Sequence, residues 1–587
     1  MFSSISAART VARRRGRLLL AACTAGALAA GALVLGPAGL AQAAGPSAGA
    51  APHIKTLAVP HTGGHEVLAR PAQRRAFTAA AGAAATTTPR YDYDGDGRGD
   101  LLTQEIDGTI GVLSSTQQKW VTLGTSTVRY RDILTPGDLT SAYAGDEVLG
   151  LTQSGRLSMF TTTGLTDGSA LWTGTGWQIY NQVIAVGDTN GDGWGDLLAR
   201  TPSGDVYLYR GTGSATAPFA ARVKVGYGYG IYDQLIGAGD LTGSGHQTLV
   251  GRDLNGDLWM YVFNGTAAGP LSGRVKIGYG WQGYNQIVGF GDDADAVGGI
   301  LGRLPNGDLY YYQGDGTGTG NLTARDLVGH QWNDELLSGQ GHTPLWGKND
   351  LFGQTAGGAL YFYYGYNTGG LSSRSLVDGD WKGARLLTSV SLSDQDEEPL
   401  LELYQGVLYN DTPGFTNVSS SGWGSYNLVF GPGDLSGDGR SDLLARDTSG
   451  VLWLLTGKGN GTFYGRSKIG AGWNGYNQIT GAGDINGDGY PDIVARNGAN
   501  GHLYLYLGTG SGSAPFKARV DIGGGWNAYT RLAAPGDLDG DGRADIVAVT
   551  SGGLLYRYSG SGRTGTATFK ARAQIGTSGW NSYSALF

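Results

Sequence analysis

A chain of 587 residues with 106 glycines, 32 tyrosines and only 3 methionines has room for several domains or one large repeat array, and its turn-rich composition points to an all-β fold. Its formal charge of −7, with 42 basic against 49 acidic residues, excludes a basic nucleic-acid binder. The single cysteine, Cys23, excludes an internal disulfide framework, so any staple must be of another kind.

Arg9, Arg13, Arg14, Arg15 and Arg17 precede an apolar stretch over 18–35 and the small-residue site Ala41-Gln42-Ala43. This is the pattern of an export signal over 1–43, and its Ala/Gly richness favours removal over a membrane anchor. Leu20-Ala21-Ala22-Cys23 resembles a lipoprotein box, but the apolar run continues past Cys23. Arg14-Arg15 is a weak twin-arginine hint, because Arg17 stands where that signal usually wants an apolar or aromatic residue. The expected address is extracellular, with either export route open. Cleavage after Ala43 removes Cys23 and five arginines and takes the formal charge from −7 to −12. Residues 44–90, rich in Ala, Gly, Thr and Pro, read as a flexible linker or propeptide in which His53, His61 and His65 are solvated.

From Tyr91 onward a unit of about fifty residues recurs. Each unit runs loop, apolar strand, Gly-containing turn, aromatic strand, Gly/Ser turn, outer strand, and a Trp-x-x-Tyr segment leading into the next loop. The aromatic strand marks ten units, at 110–113, 157–160, 206–209, 258–263, 309–312, 360–364, 407–409, 452–455, 503–507 and 554–558. Four short strands per unit are the signature of a β-propeller blade, which cannot bury its faces without neighbours. The C-terminal stretch 579–587 matches 472–480, the strand before a loop, whereas the loop at Asp92 has only linker before it. Such ends complete a blade between them and leave no open edge. Ten units allow one ten-bladed ring or two five-bladed rings. The second is favoured: a first propeller over 91–337, closed by the segment at Trp332, and a second over 338–587.

Five units open on the same nonapeptide: D-Y-D-G-D-G-R-G-D at Asp92, D-T-N-G-D-G-W-G-D at Asp188, D-L-S-G-D-G-R-S-D at Asp434, D-I-N-G-D-G-Y-P-D at Asp484 and D-L-D-G-D-G-R-A-D at Asp537. Alternate oxygen side chains wrap a hard cation, and the glycines let the backbone turn. The expected calcium ligands are Asp92, Asp94, Asp96 and Asp100; Asp188, Asn190, Asp192 and Asp196; Asp434, Ser436, Asp438 and Asp442; Asp484, Asn486, Asp488 and Asp492; and Asp537, Asp539, Asp541 and Asp545. The backbone carbonyls of Arg98, Trp194, Arg440, Tyr490 and Arg543 fill the seventh position. An EF-hand would need a Glu at position twelve, but Ala495 stands there in a strand-like run. At ~1 mM calcium and Kd ~0.1–1 mM, each site contributes roughly 0.4–1.4 kcal/mol. Calcium is thus the missing staple. Unit two keeps Asp138 and Asp146 eight apart without the residues between, and unit four has only Asp240, Thr242, Ser244 and Thr248. Units five to seven, near Asp292, Gly339 and Ser391, carry no recognisable loop. Arg98-Gly99-Asp100 spells an integrin-recognised tripeptide, but the sister loops assign Asp100 to metal.

These residues resemble the FG-GAP/VCBS repeat family, over about Tyr91 to Phe587. The resemblance implies a propeller like the integrin α-chain head, with calcium bracing the blades and ligands bound on a propeller face. The G-W-x-x-Y segments also look like the aromatic repeats of propeller lectins such as tachylectin-2. Trp177, Trp281, Trp423, Trp473, Trp526 and Trp580 recur once per unit, as do Trp332 and Trp381, with Tyr229 in that place in unit three. Their first reading is blade packing. Their second is a set of sugar-stacking platforms, with Asn181, Asn285, Asn427 and Asn477 bonding hydroxyls and weak sites adding through avidity.

Catalysis finds little support, because His246, His330, His342 and His502 are scattered and no nucleophile elbow, zinc motif or phosphate loop occurs. The charge run Asp394-Gln395-Asp396-Glu397-Glu398 reads as a solvated loop. The expectation is a secreted, calcium-stabilised, non-catalytic propeller that binds carbohydrate or another surface ligand. The alternatives are a calcium-dependent polysaccharide lyase and a structural or protein-interaction scaffold.

Overall fold

The computed structural model describes residues 66–67 and 89–587, apart from 106–107, 115–118, 127, 129, 144, 162–163, 166–168, 267, 270, 293–296, 333–334, 339–349, 366, 380, 390–399 and 413–414. The export signal, Cys23, the linker histidines, the stretches at Gly339 and Ser391 and the charge run at Asp394 lie outside them. The described residues form ten antiparallel sheets, and their helical turns are short 3-10 segments. The architecture is that of a β-propeller.

One unit shows why. Tyr476–Gly483, Asp492–Asn497, Leu503–Tyr506 and Val520–Asp521 pair in chain order, so each sheet is a meander joined by tight turns. The second strand, D-I-V-A-R-N, is buried along almost its whole length because sheets cover both its faces. Leu503–Tyr506 alternates buried leucine with half-buried tyrosine, the period of two that made it legible. The core lies between sheets: Ile184, Leu198 and Leu208 of one pack with Leu235, Leu249 and Phe263 of the next. Small residues in the second strand accept a tyrosine ring from the first strand or the turn that leads into it. At Gly251 a Cβ would stand 2.7 Å from the Tyr232 ring, and at Gly302 one would stand 2.8 Å from that of Tyr284.

Two strand pairings divide the ten sheets into two sets of five in chain order. Glu335–Leu337 pairs with Leu101–Glu105 and so completes the first sheet with a strand from the end of the first set. The C-terminal Tyr583–Leu586 pairs with Leu351–Thr355, not with the sheet after the Asp92 loop. Each exchange gives the opening sheet of its set a fourth strand.

Two features depart from the linker expected over 44–90. Glu66–Val67 adds a fifth strand beside Asp326–His330. Arg90 is buried, its guanidinium donating to the carbonyls of Ala185 at 2.9 Å and Gly237 at 2.6 Å. These carbonyls belong to the first strands of two neighbouring sheets, so the side chain fastens them together.

Candidate metal loops and binding surfaces

All five nonapeptides fold the same way. The first carboxylate accepts backbone N–H groups from the glycine after next but one and the glycine two beyond: Asp188 from Gly191 and Gly193, both 2.7 Å, and Asp484 from Gly487 at 2.7 Å and Gly489 at 2.6 Å. Asp92 does so with Gly95 and Gly97, and Asp434 with Gly437 and Gly439, while Asp537 takes Asp541 and Gly542. Gly487 and Gly489, at φ 75° and 93°, hold the left-handed backbone this wrap needs. The fifth carboxylate accepts the N–H of the seventh residue, as in Asp192 with Trp194, Asp438 with Arg440 and Asp488 with Tyr490. Arg98 and Arg543 make the same bond to Asp96 and Asp541.

In the loops at Asp188, Asp434, Asp484 and Asp537 the ninth carboxylate ties the loop to the hairpin that follows. Asp196 accepts from Thr189 and Gly211, Asp492 from Ile485 and Gly508, and Asp545 from Leu538 and Gly560. Asp442 accepts from Ser436 and Gly457, and Asp100 from Tyr93. Asp100 is buried, which supports its place in the loop over a role in an exposed tripeptide.

The loops concentrate negative charge in dry surroundings. Burial, reinforced by neighbouring carboxylates, raises Asp484 and Asp442 to about 7 and Asp196 to about 6. Asp492, Asp537 and Asp545 are pushed well above the carboxylate range by the same causes. Asp541 goes the other way: burial opposes ionisation, but Arg543 and Lys570 hold it below the ordinary value. The residues fit a hard cation. One oxygen from each of Asp537, Asp539 and Asp541 lies within 4.8 Å of the others, as do those of Asp92, Asp94 and Asp96. The buried Oδ1 of Asp539 has no hydrogen-bond partner.

The degenerate loops differ in kind. At Asp138 the closing acid is Glu147, whose carboxylate accepts the N–H of Leu139 as Asp196 accepts that of Thr189. Asp146, expected in that role, bonds the N–H of Asp92 in the neighbouring loop, and burial lifts it to about 7. At Asp240 the hydroxyl of Thr242 and the N–H of Gly245 satisfy the carboxylate.

The tryptophans are packing residues. Trp177, Trp281, Trp423, Trp473, Trp526 and Trp580 are only 4–8% exposed, so the sugar platforms expected at these six rings are closed by protein. Trp177 packs on Tyr209 at 4.6 Å, Trp281 on Tyr312 at 4.5 Å and Trp473 on Tyr506 at 4.9 Å. The backbone N–H of Trp473 also donates to the carbonyl of Gly450 in the turn of the preceding sheet at 3.0 Å, which holds the residue at the cleft between two sheets.

The asparagines orient arginines that sequence reasoning missed. Arg200 donates Nε–H to Asn181 and Nη1–H groups to the carbonyls of Tyr229 and Tyr232 on the next sheet. Arg496 repeats this with Asn477, Trp526 and Tyr529, and Arg446 with Asn427, Trp473 and Tyr476. Arg252 uses Asp233 in the place of asparagine, and Arg303 uses Asn285. The signal was present as an arginine closing the second strand in D-L-L-A-R and D-I-V-A-R. A second brace joins paired tyrosine hydroxyls, Tyr476 to Tyr506 at 2.6 Å, with Arg519 over the Tyr504 ring at 4.4 Å.

The large aromatic rings most open to solvent are others. Tyr227 is 81% and Tyr279 84% exposed, each two residues before the buried aromatic of its segment. Three residues before each stands a lysine paired to an aspartate, Lys224 to Asp205 at 2.8 Å and Lys276 to Asp257 at 2.7 Å.

The two sets meet through named contacts. Asn181 donates to the carbonyl of Asp488 at 3.4 Å and Asn285 to that of Asp539 at 3.0 Å, while Arg543 pairs with Asp233 at 3.0 Å. Arg563 reaches Asn255 at 3.0 Å. Beside these contacts a cavity of about 390 Å³ is lined by Arg131, Gln178, Asn181, Phe352, Tyr490 and Phe587 among others. Burial lowers the Arg131 guanidinium to about 10.

Residues 434–495 and 484–548 match the FG-GAP-like repeat, so this part of the chain carries that repeat. No curated protein matches the chain. Among solved structures, the BP39L lectin from Burkholderia pseudomallei is similar at 10% identity and a TM-score of 0.21, over 77% of this chain and 97% of that one. AofleA from Arthrobotrys oligospora is similar at 11% identity and a TM-score of 0.21, over 60% of this chain and 88% of that one.

Proposed function

We propose that this is a secreted, non-catalytic propeller of two five-bladed rings, braced by about five calcium ions, that binds carbohydrate at its surface. The N-terminal sequence pattern supports the extracellular address, and the exchange of strands at Leu337 and Leu586 supports two rings. For calcium, the donor set supports the reading. Each complete loop carries three or four aspartates, and in the Asp92 and Asp537 loops one oxygen from each of three carboxylates gathers within 4.8 Å of the others. A bound divalent cation would supply counter-charge to the acids that burial raises, among them Asp196, Asp442, Asp484, Asp492, Asp537 and Asp545.

The observation that carries the binding reading is the pair of open rings at Tyr227 and Tyr279. Solvent-exposed aromatic faces on adjacent sheets suit the C–H face of a sugar, and the Lys224–Asp205 and Lys276–Asp257 pairs offer donors and acceptors to hydroxyls. Two equivalent weak sites gain strength together on a repetitive polysaccharide. The test is a panel of glycans and cell-wall polysaccharides presented to the calcium-loaded protein, with released sugar assayed in the same wells. Saturable binding without release, lost in the Tyr227→Ala/Tyr279→Ala double variant, is the expected result. Unchanged binding by that double variant would move the site elsewhere, and sugar release would replace the lectin reading with a lyase.

A further inference from the structure

The loop-bearing edge of the second set lies against the asparagine-bearing edge of the first. This gives the chain two complementary surfaces that meet in its middle, and each set carries a further copy of the surface it does not use there. The same sequence element is therefore covered in one set and open in the other. Asp541, at the fifth position of the Asp537 loop, is buried, whereas Asp96 and Asp192, at the fifth position of the first set's loops, are exposed. Conversely, Asn181 and Asn285 are buried against the second set's loops, whereas Asn427 and Asn477 are exposed.

We propose that a second copy of this chain docks head to tail, its exposed first-set loops at Asp92 and Asp188 seating on the Asn427 and Asn477 face of the first copy. Charge favours that occupant. In the internal junction, the arginines of the face have acidic neighbours from the loops: Asp484 acts on Arg200, and Arg252 acts on Asp541. Their counterparts Arg446 and Arg496, with Arg385 on the adjoining sheet, are lowered by burial alone, and no carboxylate among the described residues acts on them. The free loops carry four aspartates at Asp92 and three at Asp188, enough to stay negative with one divalent cation in each. The contact is heterologous, so each docked copy offers the next the same two surfaces and association continues beyond a dimer.

The test is sedimentation velocity of the full chain in calcium over a concentration series. Thr448 is exposed and stands at the turn position of Leu254, whose side chain lies 2.7 Å from the Cβ position of Gly562 in the internal junction. Ala499 is the exposed counterpart on the next sheet. The wild type is expected to form species larger than two copies as concentration rises. Thr448→Trp and Ala499→Trp, verified as folded by unchanged denaturation curves, are expected to weaken association about tenfold or more. Each variant keeps a normal loop surface, so adding it to the wild type is expected to shorten the assemblies by capping them. A wild type that remains a single copy at every concentration overturns the proposal. So does a species that stops at two, which would mark a two-fold contact, and so does wild-type assembly by both variants.

Discussion

The carboxylate of Asp233 in the first set accepts a hydrogen bond from the Arg543 guanidinium of the second at 3.0 Å, and both residues are nearly buried. The same carboxylate holds Arg252 at 2.8 Å, and Arg543 also reaches Asp541 at 2.9 Å, so four charges from both sets form one chain. Burial works against an ionised Asp233, but the two arginines hold it below the ordinary carboxylate value. The sister position carries asparagine elsewhere, at Asn181 and Asn285. Asp233 is the variant of the repeat that meets a cation across the junction.

Asp233→Asn removes that charge while keeping an acceptor for Arg252. Leaving Arg543 without its partner across the junction is expected to cost about 3 kcal/mol, in the range for breaking a buried ion pair. Urea denaturation in calcium measures it. A change under about 0.5 kcal/mol would mean that the pair does not hold the two sets together.

Packing and binding separate at two aromatics of adjoining function. Trp473→Ala empties the cleft between two sheets and is expected to cost about 3–5 kcal/mol, as large aromatic deletions in cores do. Tyr279→Ala removes an exposed ring and is expected to leave stability within about 0.5 kcal/mol while weakening glycan binding. Thermal denaturation and a binding isotherm on each variant give the two readouts, and an exchange of effects between them would reverse the assignment.

Much of the fold was legible because several aromatic strands alternate with a period of two. Val206–Tyr209 and Leu503–Tyr506 form where the pattern put them, and the turn glycines bound them on either side. The loops were legible as a repeated spacing. The tryptophans were legible as packing residues first, and the sugar platform stayed open as a second reading because a ring that fills a cleft and a ring that waits for sugar look alike in one dimension. Arg200 and Arg496 escaped notice because their partners are carbonyls about thirty residues on, and backbone acceptors leave no trace in residue identity. Arg90 and Glu66–Val67 were hidden by a surrounding composition typical of linkers, although two bonds to Ala185 and Gly237 are enough to anchor an arginine. Glu147 took the place of an aspartate because its longer side chain spans a loop one residue longer.

Alkaline pH tests the tyrosine braces. Burial first, and the neighbouring Tyr232 second, raise Tyr229 from the ordinary 10.0 to about 12. Tyr180, Tyr506 and Tyr558 are raised by burial and by the hydroxyl bond to a second tyrosine. The folded values lie above the unfolded one, so this stability is fully present below pH 10 and is lost as pH rises toward 12. Denaturation midpoints are expected to hold to about pH 9 and fall steeply beyond pH 10, with tyrosinate absorbance appearing in step with unfolding. Gradual ionisation of these tyrosines in a protein that stays folded would contradict the braces.

The five loops are proposed to be calcium sites. Equilibrium dialysis of the metal-stripped chain against calcium, with unfolding followed in the same samples, tests that claim. About five ions are expected to bind with Kd ~0.1–1 mM, raising stability by roughly 2–7 kcal/mol in ~1 mM calcium. Asp484→Ala is expected to remove one ion of the five and part of the gain. A folded protein that takes up no calcium at millimolar levels, and unfolds identically with and without it, would contradict the account.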